Sequence, residues 1–406
     1  MLSYIDARKK VIEVAGSIRR QPLLRESIEI EQGFGRVLAR EVRADRDYPP
    51  FNRSTRDGFA VRAADVSAPG ARLECIGEIR AGGAFDGALG PGQCIEIMTG
   101  ASVPAGADAV AMIEHSKRDG RTVTLDRAVR SGDHIVSRGS EARAGALLVA
   151  AGTRLGYAEI ALAAQAGATR LEVFSCPCLA ILSTGDEVVD ARTAPGPIQV
   201  RNSNGISIEV LARTAGALPI QLGNAPDEKT ALRRDIERGL EAGDILVLSG
   251  GVSMGKYDLV EQVLSELGAE FHFTGVAIRP GRPAVFATCH GKLVFGLPGN
   301  PVSSMVTFEL FVLPAIDRWS GAAPRPLPVF RAKLVAPIRE SGTMFHFLPA
   351  RIEWEGREAR ATQLPWQGSG DIVSLALANG FLVVGPERTE VAAGDWVDVM
   401  PRRGAL

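Results

Sequence analysis

Three glycine-bearing stretches combine small side chains with bare backbone. They are Ser183-Thr184-Gly185-Asp186-Glu187, Ser249-Gly250-Gly251-Val252-Ser253-Met254-Gly255-Lys256-Tyr257-Asp258 and Gly296-Leu297-Pro298-Gly299-Asn300-Pro301. Glycine lets a ligand approach the main chain closely. Exposed N–H groups at a helix start, with the helix dipole, favour phosphate. Pro298 and Pro301 remove two donors but stiffen their loop. Glu187, Asp227 and Asp258 each follow an expected strand. Carboxylates clustered beside phosphate loops point to a divalent ion, which offsets repulsion between the acids and an anionic substrate. Arg279 and Arg282 flank Pro280-Gly281, and guanidinium forks suit tetrahedral oxyanions. Each feature also has a plain structural reading: packing loops, a helix cap at Asp227, and surface arginines. The five histidines show no metal-ligand spacing, and no nucleophile triad can be assembled.

These residues need a scaffold that brings strand ends together. From Cys176 onward, apolar strands alternate with helical periodicity. Strands are expected at 179–182, 219–222, 245–248 and 292–295, with another near Phe271; helices are expected at 205–214, at 257–267, at 302–319, and from Asp227 to Leu240. This alternation predicts a mainly parallel sheet covered on both faces, with ligands gathering at the strand ends. Ile181-Leu182-Ser183-Thr184-Gly185 weakly echoes Val247-Leu248-Ser249-Gly250-Gly251. Upstream, Ser3 with Asp6 caps a helix running to Ile18, Ile28–Ile30 is a short strand, and Val37-Leu38-Ala39 sits in a second helix. Residues 45–144 are rich in short strands and turns, and the 145–175 stretch returns to pack with the first 44 residues. A proline-rich linker at 321–328 leads to short strands that predict a small β-barrel. The expected domains are therefore 1–44 with 145–175, an elongated N-terminal domain; 45–144, inserted and β-rich; 176–323, a three-layer α/β domain; and 324–406, the barrel.

A chain of 406 residues, 46% hydrophobic and 23% charged, is sized for roughly two to four folded domains. The net charge of -1 argues against a nucleic-acid partner. Five scattered cysteines without a Cys-x-x-Cys pair read as packing thiols and suit a cytoplasmic protein. No apolar run is long enough to span a membrane, and the first residues lack a secretion-signal pattern.

Taken in order, a set of motifs resembles the molybdopterin molybdenumtransferase family, which includes bacterial MoeA and the gephyrin E domain. The carrying segments are Pro49-Pro50-Phe51 with Ser54 and Asp57-Gly58-Phe59-Ala60-Val61, Met98-Thr99-Gly100-Ala101 through Gly106-Ala107-Asp108-Ala109-Val110, the three glycine stretches, Pro280-Gly281 with Pro283, and Ala378-Asn379-Gly380 with Ala393-Gly394-Asp395. The likeness spans nearly the whole chain. It implies four subdomains, a homodimer with a cleft shared between subunits, and insertion of molybdate into adenylylated molybdopterin with release of AMP. It also implies Mg2+ or another divalent metal, and a molybdopterin adenylyltransferase as upstream partner. By position it implies Asp57, Thr99, Glu187, Asp227 and Asp258 as catalytic, the last three also as metal ligands. Ser183, Thr184, Gly185, Ser249, Gly250, Gly251, Arg279, Arg282, Pro298, Gly299, Asn300 and Pro301 would bind substrate. Ser374 resembles a molybdate-contacting serine.

Several positions depart from the family. Asn52-Arg53 stands for Asp-Asn, Glu141 for Asp, Arg279 and Arg282 for two lysines, and Pro349, with Arg351 nearby, for an arginine. Two rival readings follow: a paralogue that binds molybdopterin or finished cofactor without efficient insertion, and a nucleotide-pyrophosphate hydrolase. The Asp57 and Thr99 motifs argue against the hydrolase.

Overall fold

The computed structural model describes residues 1–18, 23–252, 259–340, 342–388 and 390–404. Its central sheet has six strands in the order Leu218–Ala225, Cys178–Thr184, Ile245–Ser249, Lys292–Leu297, Val285–Cys289 and Glu270–Phe273. Only Val285–Cys289 runs against the others. Alternate side chains enter opposite cores, as strand pleating requires. Leu179, Ile181, Ile245 and Val247 meet the helices Ser203–Ala215 and Tyr4–Ile18; Ala180, Leu182, Leu246 and Leu248 meet Lys229–Ala242 and Leu259–Glu266. The sheet is thus covered on both faces, which explains its nearly unbroken apolar strands.

The first helix packs into this α/β core through Ala7, Val11, Val14 and Ala15. Ser3 caps it, taking a hydrogen bond from Asp6 N at 3.1 Å. The first 44 residues therefore divide between two cores. Val37 and Leu38 are not helical; they bridge to Arg154 and Val173. Buried Leu38 serves a small second core that includes residues of strands Arg25–Glu29 and Arg170–Phe174.

The inserted region forms a six-stranded sheet in the order Ala109–Met112, Gly58–Val61, Gln93–Ile97, Ala71–Ile79, Thr122–Leu125, Ser116–Asp119. The C-terminal region closes five strands into a barrel: Phe345–Glu355, Glu358–Gln363, Phe330–Leu334, Trp396–Pro401 and Gly380–Val384, which pairs back onto the first. All five cysteines are free thiols, and burial beside Cys75 pushes Cys94 up to about 12. Among the described residues no helix is long and apolar enough to cross a membrane.

Candidate active site

Parallel register fixes the level of the glycine loops. Ser183 pairs with Ser249, and Ser249 with Leu297, so three strands end side by side. The turns that follow enclose a cavity of about 650 Å3. Gly250 and Gly251 have φ of 95° and 66°. A Cβ on Gly250 would lie 2.8 Å from Thr184 O, and one on Gly251 2.8 Å from Thr184 Oγ1. Only glycine satisfies both the backbone and the space.

Two asparagines hold this rim together. Asn202 caps the Ser203–Ala215 helix, accepting from Gly205 N at 2.8 Å, and its Nδ2 donates to Ser183 Oγ at 2.9 Å. Asn204 Nδ2 donates to Gly299 O at 2.8 Å and to Ser249 Oγ at 2.9 Å. A carbonyl can only accept, so Gly299 fixes the orientation of the amide. Asn204 Oδ1 and Thr184 Oγ1 are buried with no hydrogen-bond partner among the described residues, at the lining of the cavity. Buried polar atoms are rarely left unpaired, and a bound ligand is one remedy. Sequence reasoning missed both asparagines. The usable signal was Asn202-Ser203-Asn204 at the start of a periodic apolar stretch, which marks a helix cap.

A second cavity of about 550 Å3 adjoins the first, sharing Pro283, Pro298, Asn300 and Gly370 with it. Arg279 and Arg282 line it, together with Ser303, Trp366 and Ser369. Among the described residues neither guanidinium has a hydrogen bond or ion pair. Gly281 sits between them at φ 110°, where a Cβ would lie 2.7 Å from Thr307 Cγ2. The barrel supplies the opposite wall: Asn300 Nδ2 donates to Ser369 Oγ at 2.8 Å, and Val302 N to Ser369 O at 3.1 Å. Ser374 lines neither cavity. It is buried, and its hydroxyl is held at 2.6 Å from Asp371 Oδ2 and 2.8 Å from Pro365 O inside a capped turn of helix. Ser369, just before that helix, is the serine that reaches the cleft. Pro349 is buried in the barrel strand and Arg351 lies 3.6 Å from Glu353; neither residue lines either of these two cavities.

The acids divide three ways. Glu187 and Asp227 line the larger cavity. Asp227 is not the helix cap; Glu228 is, accepting from Thr230 N and Ala231 N at 2.8 Å each. Burial, with Asp186 and Glu187 close by, pushes the Asp227 carboxyl above its ordinary value. Asp258 lies outside the described residues. Among the described residues no group of three or more side chains forms a metal site. Asp57 and Thr99 are together but remote: Asp57 Oδ1 accepts from Thr99 N at 2.6 Å and Thr99 Oγ1 at 2.9 Å, and neither residue lines either cavity. Those two bonds hold the Asp57 carboxyl below its ordinary value.

Three family models match successive stretches of the chain. The model for the MoeA N-terminal region (domain I and II) matches residues 2–167, that for a probable molybdopterin binding domain matches 180–318, and that for the MoeA C-terminal region (domain IV) matches 331–401. A molybdopterin molybdenumtransferase from Bacillus subtilis is 35% identical over 368 residues, covering 88% of this chain and 85% of that protein. The chain belongs to this family. A namesake from Nostoc is 34% identical, over 92% of this chain and 88% of its own length. The crystal structure of the molybdopterin biosynthesis MoeA protein from Pyrococcus horikoshii has a TM-score of 0.82 at 26% identity, covering 99% of this chain and 100% of that one. The family's elements are thus present along the whole chain, including the barrel that walls the arginine cavity.

Proposed function

We propose that the chain inserts molybdate into adenylylated molybdopterin, releasing AMP and giving molybdenum cofactor. The observation that carries this reading is the joining of two cavities of different character. One is rimmed by glycine loops, asparagines and carboxylates, and the other by two arginines that have no ion-pair partner among the described residues. The first has the backbone donors and the size for a pterin phosphate ester and its nucleotide. The second has the charge for a tetrahedral oxyanion. Their shared wall, which includes Pro298 and Asn300, supports a reading in which the oxyanion is held next to the pterin substrate.

Ser183, Thr184, Gly185, Ser249, Gly250, Gly251, Gly299 and Asn300 bind and orient the substrate, while Pro298 and Pro301 keep the third loop stiff. Arg279 and Arg282 hold molybdate, with Ser369 rather than Ser374 as their hydroxyl neighbour. The raised carboxyl of Asp227, beside Glu187, fits a cation: the charge that burial and its neighbours disfavour is what a divalent ion offsets. Glu187 and Asp227, with Asp258, would hold Mg2+ or a similar ion, which when bound polarises the pyrophosphate link. The same reading includes a cytoplasmic homodimer whose partner subunit supplies the Asp57–Thr99 pair, an adenylyltransferase upstream, and domain boundaries near residues 45, 145, 176 and 324.

The test is conversion in vitro. Purified protein, adenylylated molybdopterin, molybdate and Mg2+ are combined, and AMP release and reconstitution of a cofactor-free molybdoenzyme are followed. Both should appear together and both should need molybdate. AMP without reconstitution would replace the reading with a hydrolase; tight binding with neither product would replace it with a binding paralogue.

A further inference from the structure

The two arginines are placed from behind their turn as well as from the cleft. Val276 N donates to Arg282 O at 2.9 Å, closing the turn at its base. On one flank Leu2 forms a parallel bridge with Val276, and Ala277 N donates to Leu2 O at 2.8 Å. On the other flank Phe345 N donates to Ala277 O at 3.0 Å, and Ile278–Arg279 pairs in parallel with Phe345 and His346 of the barrel. Tyr4 joins the two flanks. Its ring stands edge-on to Phe345 at 4.9 Å between centroids and to Phe347 at 5.5 Å. The N-terminal segment, the arginine turn and the barrel edge are thus one small unit.

We propose that Tyr4 is a positioning residue for the oxyanion site, setting where the Arg279 and Arg282 guanidinium groups stand. This rests on the reading of those arginines as the molybdate site. Two like charges flanking Pro280-Gly281 repel each other, and a two-residue strand makes few hydrogen bonds of its own. The backbone beneath them therefore depends on its neighbours. Gly281 rests against Thr307, and the barrel holds one edge. Leu2 holds the other edge, and Tyr4, two residues along the same segment, docks its ring on Phe345 and Phe347 and so anchors that segment to the barrel. Aromatic edge-to-face contacts have defined geometry, so the ring transmits position as well as burying apolar surface.

The test uses full-length Tyr4→Ala, Tyr4→Phe and, as reference, Arg282→Ala. Cofactor formation is measured against molybdate concentration, and binding of adenylylated molybdopterin is measured separately. Tyr4→Ala should raise the half-saturating molybdate concentration roughly five- to twenty-fold, since small misplacements of binding groups are costly. Tyr4→Phe should stay within about twofold, because it keeps the ring and its packing. Affinity for adenylylated molybdopterin should hold in both. Should Tyr4→Ala not fold, Tyr4→Leu keeps apolar volume without the flat ring and is expected to show the same shift. If Arg282→Ala raises half-saturation while neither Tyr4→Ala nor Tyr4→Leu does, the positioning role is overturned. It is overturned equally if pterin affinity falls in step with molybdate affinity, since that marks general loosening. If Arg282→Ala leaves half-saturation unchanged, the oxyanion reading itself falls.

Discussion

Asp227 is a residue whose site conflicts with stability. Its pKa is raised, by burial first and then by Asp186 and Glu187. A raised carboxylate binds its proton more tightly folded than unfolded. The contribution of Asp227 to stability is therefore fully present below its unfolded value of about 3.8 and is lost as pH rises through the raised folded one. Asp227→Asn removes that loss. Its Tm at pH 7 should equal or exceed that of wild type, with a flatter pH profile, while AMP release collapses. Thermal unfolding across pH 4–7 beside an AMP assay checks this; a lower Tm with activity intact would contradict it. The arginines obey different physics. A charge-assisted hydrogen bond contributes roughly 1.5–3 kcal/mol, so Arg282→Ala should weaken molybdate binding about 10- to 100-fold. Arg282→Lys should cost less, since the charge survives and only the fork is lost. Two other family departures meet each other: Arg53 Nη2 lies 2.8 Å from Glu141 Oε1. A basic residue and a longer acid in place of the usual pair form an ion pair of their own.

Among the elements, the helical run that follows Pro301 shows how one proline is accommodated. Pro314 has no N–H for Leu310 O, and the chain passes through a π segment, Phe308–Val312, just before it. Arg8 of the first helix donates Nη1 to the freed Leu310 O at 3.0 Å. Further along, Asp317 has no exposed side-chain surface and is held by Arg154 at 2.8 Å and by Arg325 at 2.5 Å. Arg154 belongs to the segment following the inserted domain, so this ion group ties that segment to the α/β core. Asp317→Ala would leave two cations facing an apolar hole and should destabilise by about 3–5 kcal/mol; denaturant titration measures it, and a loss within error of zero would show that water already screens the group. The α/β layers were legible because strand and helix periods differ and because Gly and Pro punctuate the joins. Asp227 as cap was misread because either neighbouring acid can cap, and only the backbone shows that Glu228 does. Val37-Leu38-Ala39 carries too few residues for a period to decide between helix and bridge. Ser369 lies in the turn before a short helix and Ser374 within that helix, and sequence does not show which hydroxyl reaches the cleft. Asn202 and Asn204 work through contacts with loops from distant strands, which no local pattern reports.

At the scale of the whole molecule, the separation of Asp57 and Thr99 from both cavities makes the assembly a chemical question. The pair is already ordered: two donors from Thr99 hold the Asp57 carboxylate ionised and aimed. In this arrangement neither residue lines either cavity of its own chain. If a partner brings the pair, the active unit is a two-fold dimer with two mixed sites. Light scattering should then give about twice the chain mass of 43.0 kDa. Complementation gives the sharper test. Asp57→Asn and Asp227→Asn should each be nearly inactive alone. After equal amounts are mixed and subunits exchange, half the dimers are hybrids, each with one intact site and one doubly altered site. Activity should recover to roughly a quarter of wild type. No recovery, with exchange verified by mass spectrometry, would mean that each chain completes its own cleft. The Asp57–Thr99 pair would then have to reach it by a domain rotation about the strands that join residues 42–43 to 147–149.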